Sequence, residues 1–593
     1  MALLGRRRAA FAVAGLAAMA CAALLDRFAP FPSADVTQGS DECFARGGLG
    51  ERELSAPDRG PQRWTTGRAR FRFENLPAGP LRVTVVADGH RSPLVIAADG
   101  RILGVIPPED DRGVFDVPTR RGDGLDVELQ VAPFVVRGRH LGTLLRRVEV
   151  SHEVSRAPSP RFVLLFVVPA LLMVCAALVA GLPAVGALAV AVLFSGLQAM
   201  AMVPFGVARS AYAIRLSIGL SLAAILCAVF ARSVDRRWRG AGTWALVSLL
   251  LAFEVHVVAG ASPLMVVSDL NFHLHNLADV RSGDLFPTSL TPGEKPFRFP
   301  YGVSFYALLV PLARMGFDPV TLLRHAAALS GVAASAALFV MLAGGGPRRA
   351  GLAVIGLQLL PATFAAYSFG NLSNVFGQAM TVFFFGWWTA GCAPWGVGGA
   401  LLGVGCLAHF SSLIVLVTLC ASLVASRGGA LGRDRGRLLA LAVGLGIAAL
   451  YYARFAGLVL AQLPRLLEGG GAGGSVFETM LRQARLALAQ WGWPAVVLGL
   501  LGMPRLRRGG LDADLVAYWL AGAALATVAV VSPLEVRYVH ALTLPLAVAL
   551  GTGAERLLER GWTGRILAAL LLSVQTALAG AVIVEGVLHR YRP

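Results

Sequence analysis

The chain has 593 residues, of which 56% are hydrophobic and 15% charged, with a mean hydropathy of +0.65. Soluble domains carry about 25% charged residues, so a soluble enzyme is excluded; run after run reaches the roughly 17–25 apolar residues that cross a bilayer. Basic residues exceed acidic ones, 53 − 35 = 18, but the arginines sit in short loops between apolar runs. There they set orientation and do not form a nucleic-acid surface.

Two chemistries drop out early. Lys295 is the sole lysine and Glu294 precedes it, so there is no phosphate-binding P-loop and ATP-driven transport by this chain alone is disfavoured. Of seven cysteines, Cys21, Cys175, Cys227, Cys392, Cys406 and Cys420 lie in apolar runs and only Cys43 lies outside them. They form neither a disulfide framework nor a zinc pattern.

In chain order, Arg6-Arg7-Arg8 precede an apolar run from about Ala9 to Leu25, which reads as an uncleaved signal anchor over residues 1–30 with its N-terminus inside. Residues 35–158 are polar and rich in Gly and Pro. Short alternating runs recur there: Arg70 to Phe73, Leu81 to Val85, Leu94 to Ile96, Leu125 to Leu129 and Leu144 to Val150, with turn signals at Asp88-Gly89 and Asp99-Gly100. This predicts an all-β sandwich. Its closing stretch, Arg139-His140-Leu141-Gly142 and then Arg146 to Val150, resembles the last strands of a carbohydrate-binding jelly roll; a folded spacer is the other reading.

From Phe162 apolar runs resume near 162–180, 184–203, 212–231, 241–259, 322–343, 350–369, 374–391, 396–408, 410–426, 437–461, 488–503, 513–531, 539–554 and 564–585. The fold class is therefore a polytopic α-helical membrane protein of about 13–15 transmembrane helices, with an extracytoplasmic β-sandwich near the N-terminus and a multi-span domain over 160–593. The arginine clusters 232–239, 348–349, 427–437, 505–508 and 556–565 all come out cytoplasmic if the stretch 300–316 does not span. With Pro311 inside and Arg314 at its end, that stretch predicts an interfacial or re-entrant helix.

One set of polar residues then faces outward. The loop 260–321 carries Asp269, His273, His275, Asp279, Asp284, Lys295, Arg298 and Tyr301; later turns carry Asn371 and Asn374, His409, Arg454, and Glu535 with Arg537 and Tyr538. Polar groups near membrane depth are costly and point to function. A lipid-phosphate sugar donor needs a carboxylate to take the acceptor proton and cations to hold the leaving phosphate. Asp269, a few residues past a span, fits the first; Lys295, Arg298 and Arg537 fit the second.

The run from Asp269-Leu270-Asn271-Phe272-His273 through Gly283-Asp284-Leu285-Phe286-Pro287 to Phe299-Pro300-Tyr301-Gly302 resembles the first outer loop of the GT-C superfamily of lipid-dependent membrane glycosyltransferases. Phe369-Gly370-Asn371, Ala408-His409-Phe410 and Arg537-Tyr538 with Pro545 are similar to recurrent features of that family, and the likeness covers about 241–553. The resemblance implies Asp269 as catalytic base. It implies substrate contacts from His273, Asp279, Asp284, Lys295, Arg298, Tyr301, Asn371, His409, Arg537 and Tyr538. It also implies a polyprenyl-phosphate-linked sugar as donor and a glycan, lipid or protein acceptor, in the inner (plasma) membrane of a bacterium with the active face extracytoplasmic. Family members often pair acids here, whereas Leu270 follows Asp269; no cofactor is fixed and a divalent metal stays open. No nucleic acid is expected; membrane lipids are.

Other readings attach to particular residues. Asp269 caps the following helix, or Asp279 or Asp284 replaces it as base. His273 and His275, two apart, do not share a helical face. Glu254 and His256 read as a buried, satisfied polar pair, and Trp387, Trp388, Trp491 and Trp493 as interfacial belt residues. The competing functions are a lipid-linked glycan transporter or flippase, a polysaccharide polymerase or ligase using the loop 462–487 with Arg465, Arg482 and Arg485, and a non-catalytic scaffold of the same fold.

Overall fold

The computed structural model describes residues 2–37, 39–54, 61–120, 124–136, 139–152, 158–265, 267, 269–290, 298–368, 370–391, 394–458, 460–461, 476–506, 512–531 and 540–588. It divides into two compact units: Met1–Arg232 with Ser262–Val266 and Val587–Pro593, and Ser233–Ala261 with Val267–Gly586.

The first unit opens with helix α1 (Ala2–Phe28) and then builds the β-domain from β1 (Ser33–Asp35), the short helix α2 (Asp41–Phe44), β2 (Ala45–Leu54), β3 (Pro61–Glu74), β4 (Gly79–Asp88), β5 (Leu94–Ala98), β6 (Arg101–Ile106), β7 (Arg112–Arg120), β8 (Gly124–Gln130), β9 (Phe134–Val136), β10 (Arg139–Leu141) and β11 (Leu144–His152). The antiparallel ladder runs β6-β5-β8-β3-β11-β4-β7, with β1 on β11 and β2 on β3. Alternation sets its faces: Leu81, Val83, Val85 and Ala87 of β4 are buried while Arg82 turns out. Asp99 (φ 45°) and Gly100 (φ 79°) join Ala98 to its partner Arg101. Two central residues with positive φ are what a tight hairpin turn of matching twist requires. The Phe115 ring lies over Gly104, so β6 and β7, the two ends of the β6-to-β7 path, meet.

Helices α3 (Pro160–Val179), α4 (Ala184–Met202) and α5 (Ala211–Arg237) follow, and α1 packs on α3 and α4. Arg209, between α4 and α5, ties this unit together. Its guanidinium donates to the Asn75 carbonyl (2.6 Å) and to Asp26 Oδ1 (2.7 Å), both charged side chains being buried.

The second unit starts with α6 (Ala241–Phe253), which widens into a π-turn over Glu254–Gly260. Next come α7 (Leu270–Ser282), the hairpin β12 (Thr288–Leu290) and β13 (Arg298–Pro300), α8 (Ser304–Arg314), α9 (Pro319–Ala343), α10 (Pro347–Leu359), α11 (Pro361–Ser368), α12 (Leu372–Ala390), α13 (Trp395–Cys406), α14 (Phe410–Arg427), α15 (Arg435–Ala453), α16 (Val476–Trp491), α17 (Trp493–Leu506), α18 (Asp512–Val531), α19 (Thr543–Glu559) and α20 (Gly561–Leu588). Among the described residues of the chain nine helices are long and apolar enough to cross a membrane, and eleven if each of two bent pairs counts as one span. The bends fall at Pro361, between α10 and α11 (42°), and at Gly492, between α16 and α17 (92°); a proline cannot continue the preceding hydrogen-bond ladder. The helix α8 has 11 residues. At about 1.5 Å per residue it covers roughly half of a 30 Å hydrocarbon core, as expected of an interfacial segment.

Two sequence expectations are corrected in this unit. Trp387 and Trp388 are not belt residues but lie inside the bundle. Trp388 is fully buried, its Nε1–H donates to Asp514 Oδ1 (3.3 Å), and Arg427 and Arg437 lie 5.6 and 5.4 Å from its ring centroid. Arg427 in turn bonds Asp514 (2.5 Å). The ring packs on this ion pair, in which Asp514 is buried and Arg427 partly exposed; Trp493, by contrast, is exposed. Nor do Glu254 and His256 satisfy each other. His256 Nδ1 pairs with the Tyr367 hydroxyl (2.7 Å), while Glu254 Oε1 is buried with no partner among the described residues.

Candidate functional site

The site is built where the loop after the π-turn folds against two later turns of the same unit. The π-turn ends at Gly260, directly under the Tyr367 ring of α11, so the Tyr367–His256 bond fixes where the chain leaves α6. The chain then enters α7 with Asp269 at the N-cap position. The Asp269 side chain is exposed and makes no cap hydrogen bond to the helix, so the capping role considered for it is not the one it takes.

The Asp269 backbone is held in place by a close contact. The turn between α11 and α12 passes through Gly370 at φ +73°, and a Cβ there would sit 2.5 Å from Asp269 N and 2.8 Å from its Cβ. Only glycine meets both the left-handed conformation and the close approach. One turn into α7, buried His273 locks the same contact: its Nε2–H donates to the Gly370 carbonyl (2.5 Å), and Nδ1 accepts from the Tyr306 hydroxyl (2.6 Å). Burial pushes the Tyr306 phenol well above its ordinary range, so it remains a donor.

The network continues. Tyr301, buried, shares a hydrogen bond with Ser373 (2.8 Å) and sets its ring edge-on to Phe272 (4.9 Å) and His409 (5.2 Å). Gly302 lies against the backbone of Leu407 and Ala408, and Ser304 donates from N–H to the Leu407 carbonyl (2.9 Å) and from Oγ to the Val404 carbonyl (2.7 Å). His409 is the N-cap of α14: its Nδ1 accepts from Ser411 N–H (3.1 Å), and the Ser411 hydroxyl donates to Asn374 Oδ1 (3.2 Å). Asn371, at the N-cap of α12, is half-buried beside Gly370. Asp269, His273, Tyr301, Asn371 and His409 are thus brought to one region by three turns.

The remaining candidates fall elsewhere. Asp279 lies ten residues along α7 from Asp269, about 15 Å at the helical rise, and Asp284 follows the C-cap Gly283. Both are exposed, and Asp284 N–H bonds back to the Asp279 carbonyl (3.0 Å). Both lie apart from the Gly370 turn that packs on Asp269. At that far end Phe286 stacks on Tyr451 (5.5 Å) beneath Arg454 (5.1 Å). Arg298 is exposed on β13 opposite Leu290. His275 points away from His273 and bonds the Asn271 carbonyl (2.8 Å). Lys295, Arg537 and Tyr538, and the polymerase-type Arg465, lie outside the described residues.

Sequence reasoning missed Tyr306, Ser373 and Arg324. The last is buried in the second turn of α9, which packs against α7; a lone arginine near the start of an apolar run was its only signal. Among the described residues no three His, Cys, Asp or Glu side chains gather as a metal site. No protein-family model matches the chain, and no curated protein matches it.

Proposed function

We propose that this chain is a membrane glycosyltransferase that moves a sugar from a polyprenyl-phosphate donor to a hydroxyl of an envelope acceptor on the extracytoplasmic side. The observation that carries the reading is the Asp269 carboxylate: exposed at the start of a loop helix, not spent on capping it, and held through its backbone by Gly370 and the buried His273. A general base needs both an accessible carboxylate and a fixed position.

In this mechanism the acceptor hydroxyl gives its proton to Asp269. Its oxygen bonds to the anomeric carbon as the bond from that carbon to the phosphate oxygen breaks. The electron pair leaves with the phosphate and the anomeric configuration inverts. The leaving phosphate gains negative charge, which a cation stabilises; Arg298, exposed on β13, is a described cation of this unit suited to that role. The short α8, read as an interfacial segment, packs against α7, whose N-cap is Asp269, which suits a lipid-borne donor entering from the bilayer surface.

The test is a deletion strain complemented with wild type or with Asp269→Asn at equal protein level. The wild type restores the missing envelope sugar. The variant cuts transfer by at least about 10²-fold, the usual range for a lost general base, and leaves the lipid-linked donor accumulating. Full restoration by Asp269→Asn would overturn the reading.

A further inference from the structure

The first unit carries an open cleft of about 610 Å³ where α1 ends and the β-domain begins, a volume within the about 300–1,000 Å³ of small-molecule sites. One side is the β1–β11 pair, in which Ser33 lies opposite Glu149 and Asp35 opposite Arg147. Side chains alternate along a strand, so Ala34 and Val148 go fully buried into the core while these four polar residues line the cleft. The Ser33 hydroxyl is buried there with no hydrogen-bond partner among the described residues, Ser33 being 9% exposed. Buried polar atoms are nearly always satisfied, so an unsatisfied one in a cleft wall points to a ligand. The other side comes from the end of α1 and the short turn Pro204–Arg209 between α4 and α5. Gly206 (φ 64°) presses that turn on the chain after α1: a Cβ there would sit 2.6 Å from the Pro30 carbonyl oxygen. Its neighbour Phe205 lines the cleft at φ 54°, a left-handed conformation that a bulky residue keeps only where its surroundings impose it. Phe31, exposed and edge-on to His152 (5.3 Å), lines it too.

We propose that this cleft binds the headgroup of a zwitterionic membrane phospholipid, an ammonium joined to a phosphodiester as in phosphatidylethanolamine. Charge and depth single it out. Asp26 is spent on Arg209 (2.7 Å), which leaves Asp35 and Glu149 against Arg27 and Arg147. An anion alone would meet the two carboxylates and a cation alone the two guanidiniums; a ligand carrying both signs finds a complement for each. The arginines hold phosphate oxygens, the carboxylates and the rings of Phe31 and Phe205 attract the ammonium, and the Ser33 hydroxyl donates to a phosphate or ester oxygen. Asp35 and Arg147 are direct cross-strand neighbours, with Cβ atoms about 4.5–5.5 Å apart in such a pair. They therefore offer opposite charges at a separation close to the two-carbon link of the headgroup. As for depth, the candidate spans in α1 and α4 end at Phe28 and Met202 and the next begins at Ala211. The cleft residues 26–35 and Phe205 sit at those ends, where the hydrocarbon core gives way to headgroups. Leu24 and Phe28, one turn apart on α1 and both exposed, leave an apolar face beside the cleft for acyl chains. The site belongs to the first unit and stands independently of the transfer reading.

The full-length protein, delipidated in detergent, is melted with rising mole fractions of phosphatidylethanolamine or phosphatidylglycerol in the micelle, and with glycerophosphoethanolamine in the buffer. A ligand of the folded state alone raises the melting temperature saturably. Phosphatidylethanolamine does so; phosphatidylglycerol, a phosphodiester without the ammonium, does not at the same fraction. Arg147→Gln and Glu149→Gln each raise the half-saturating fraction about 10-fold or more, as loss of a charge-assisted hydrogen bond does. Without lipid both variants melt near wild type, because the Arg147–Glu149 pair (3.8 Å) is partly exposed and such pairs contribute little. No shift with phosphatidylethanolamine, equal shifts with the two lipids, or a shift untouched by both substitutions overturns the proposal. So does an equal shift from glycerophosphoethanolamine at equal concentration, which makes the ligand a soluble phosphodiester and not a membrane lipid.

Discussion

His273 makes two hydrogen bonds from the interior, and each fixes a different part of the site. One holds the Gly370 carbonyl and with it the turn pressed on Asp269; the other holds Tyr306 and so the start of α8. In His273→Phe the buried Gly370 carbonyl loses its side-chain donor, at about 1–3 kcal/mol, and Tyr306 loses one of its partners, so the melting temperature falls and transfer falls with Asp269 still in place. His273→Gln, whose amide can donate to one partner and accept from the other, recovers a measurable part of transfer; if Gln and Phe are equally impaired, His273 only fills space. Gly370→Ala probes the same contact from the other side. A left-handed alanine costs about 1–2 kcal/mol, and its Cβ would displace Asp269. Its expected signature is transfer lost beyond what the stability change explains, read from the envelope sugar at matched protein level. Normal transfer in Gly370→Ala would show that the position of the Asp269 backbone does not matter.

At the scale of elements, Arg209 is the clearest staple: one buried guanidinium joins the end of α1 through Asp26 to the β-domain through Asn75. Arg209→Met strands the Asp26 carboxylate in the interior, and removing one partner of a buried pair typically costs about 3–5 kcal/mol. The melting temperature in detergent drops accordingly, and adding Asp26→Leu restores much of it; no recovery in the double variant would mean that the Asn75 bond, not the ion pair, carries the stability. Nothing in the sequence around Arg209 marks this, because its partners are 183 and 134 positions away. Local patterns were legible where the physics is local. The strands of β3, β4, β5, β8 and β11 show in their alternation, and the Asp99-Gly100 hairpin in its turn chemistry. The short α8 shows in its length and its Pro311. The π-turn at Glu254 and the burial of Trp388 did not show, since both answer to packing against distant helices.

For the whole molecule, composition alone was sufficient to read a multi-pass helical protein with a β-domain, because apolar runs of spanning length have few other uses. Of the candidate site, the Asp269 to Tyr301 loop stood out as polar sequence at membrane depth, whereas Tyr306 and Ser373 sit in apolar helices and gain meaning only from partners brought by other turns. The orientation of the whole chain hangs on α8. If its 11 residues lie along the surface, the loop with Asp269 and the turn at 315–318 face the same compartment, and all five arginine clusters face the other. In a chain whose seven cysteines are replaced by alanine, Leu290→Cys and Met315→Cys, both exposed, should then react with a membrane-impermeant thiol reagent from the extracytoplasmic side. Gly344→Cys, across α9, should react only after permeabilisation. Labelling of positions 290 and 315 from opposite sides would make α8 a span. It would then split the arginine clusters between compartments, against the one-sided charge bias of a multi-pass chain.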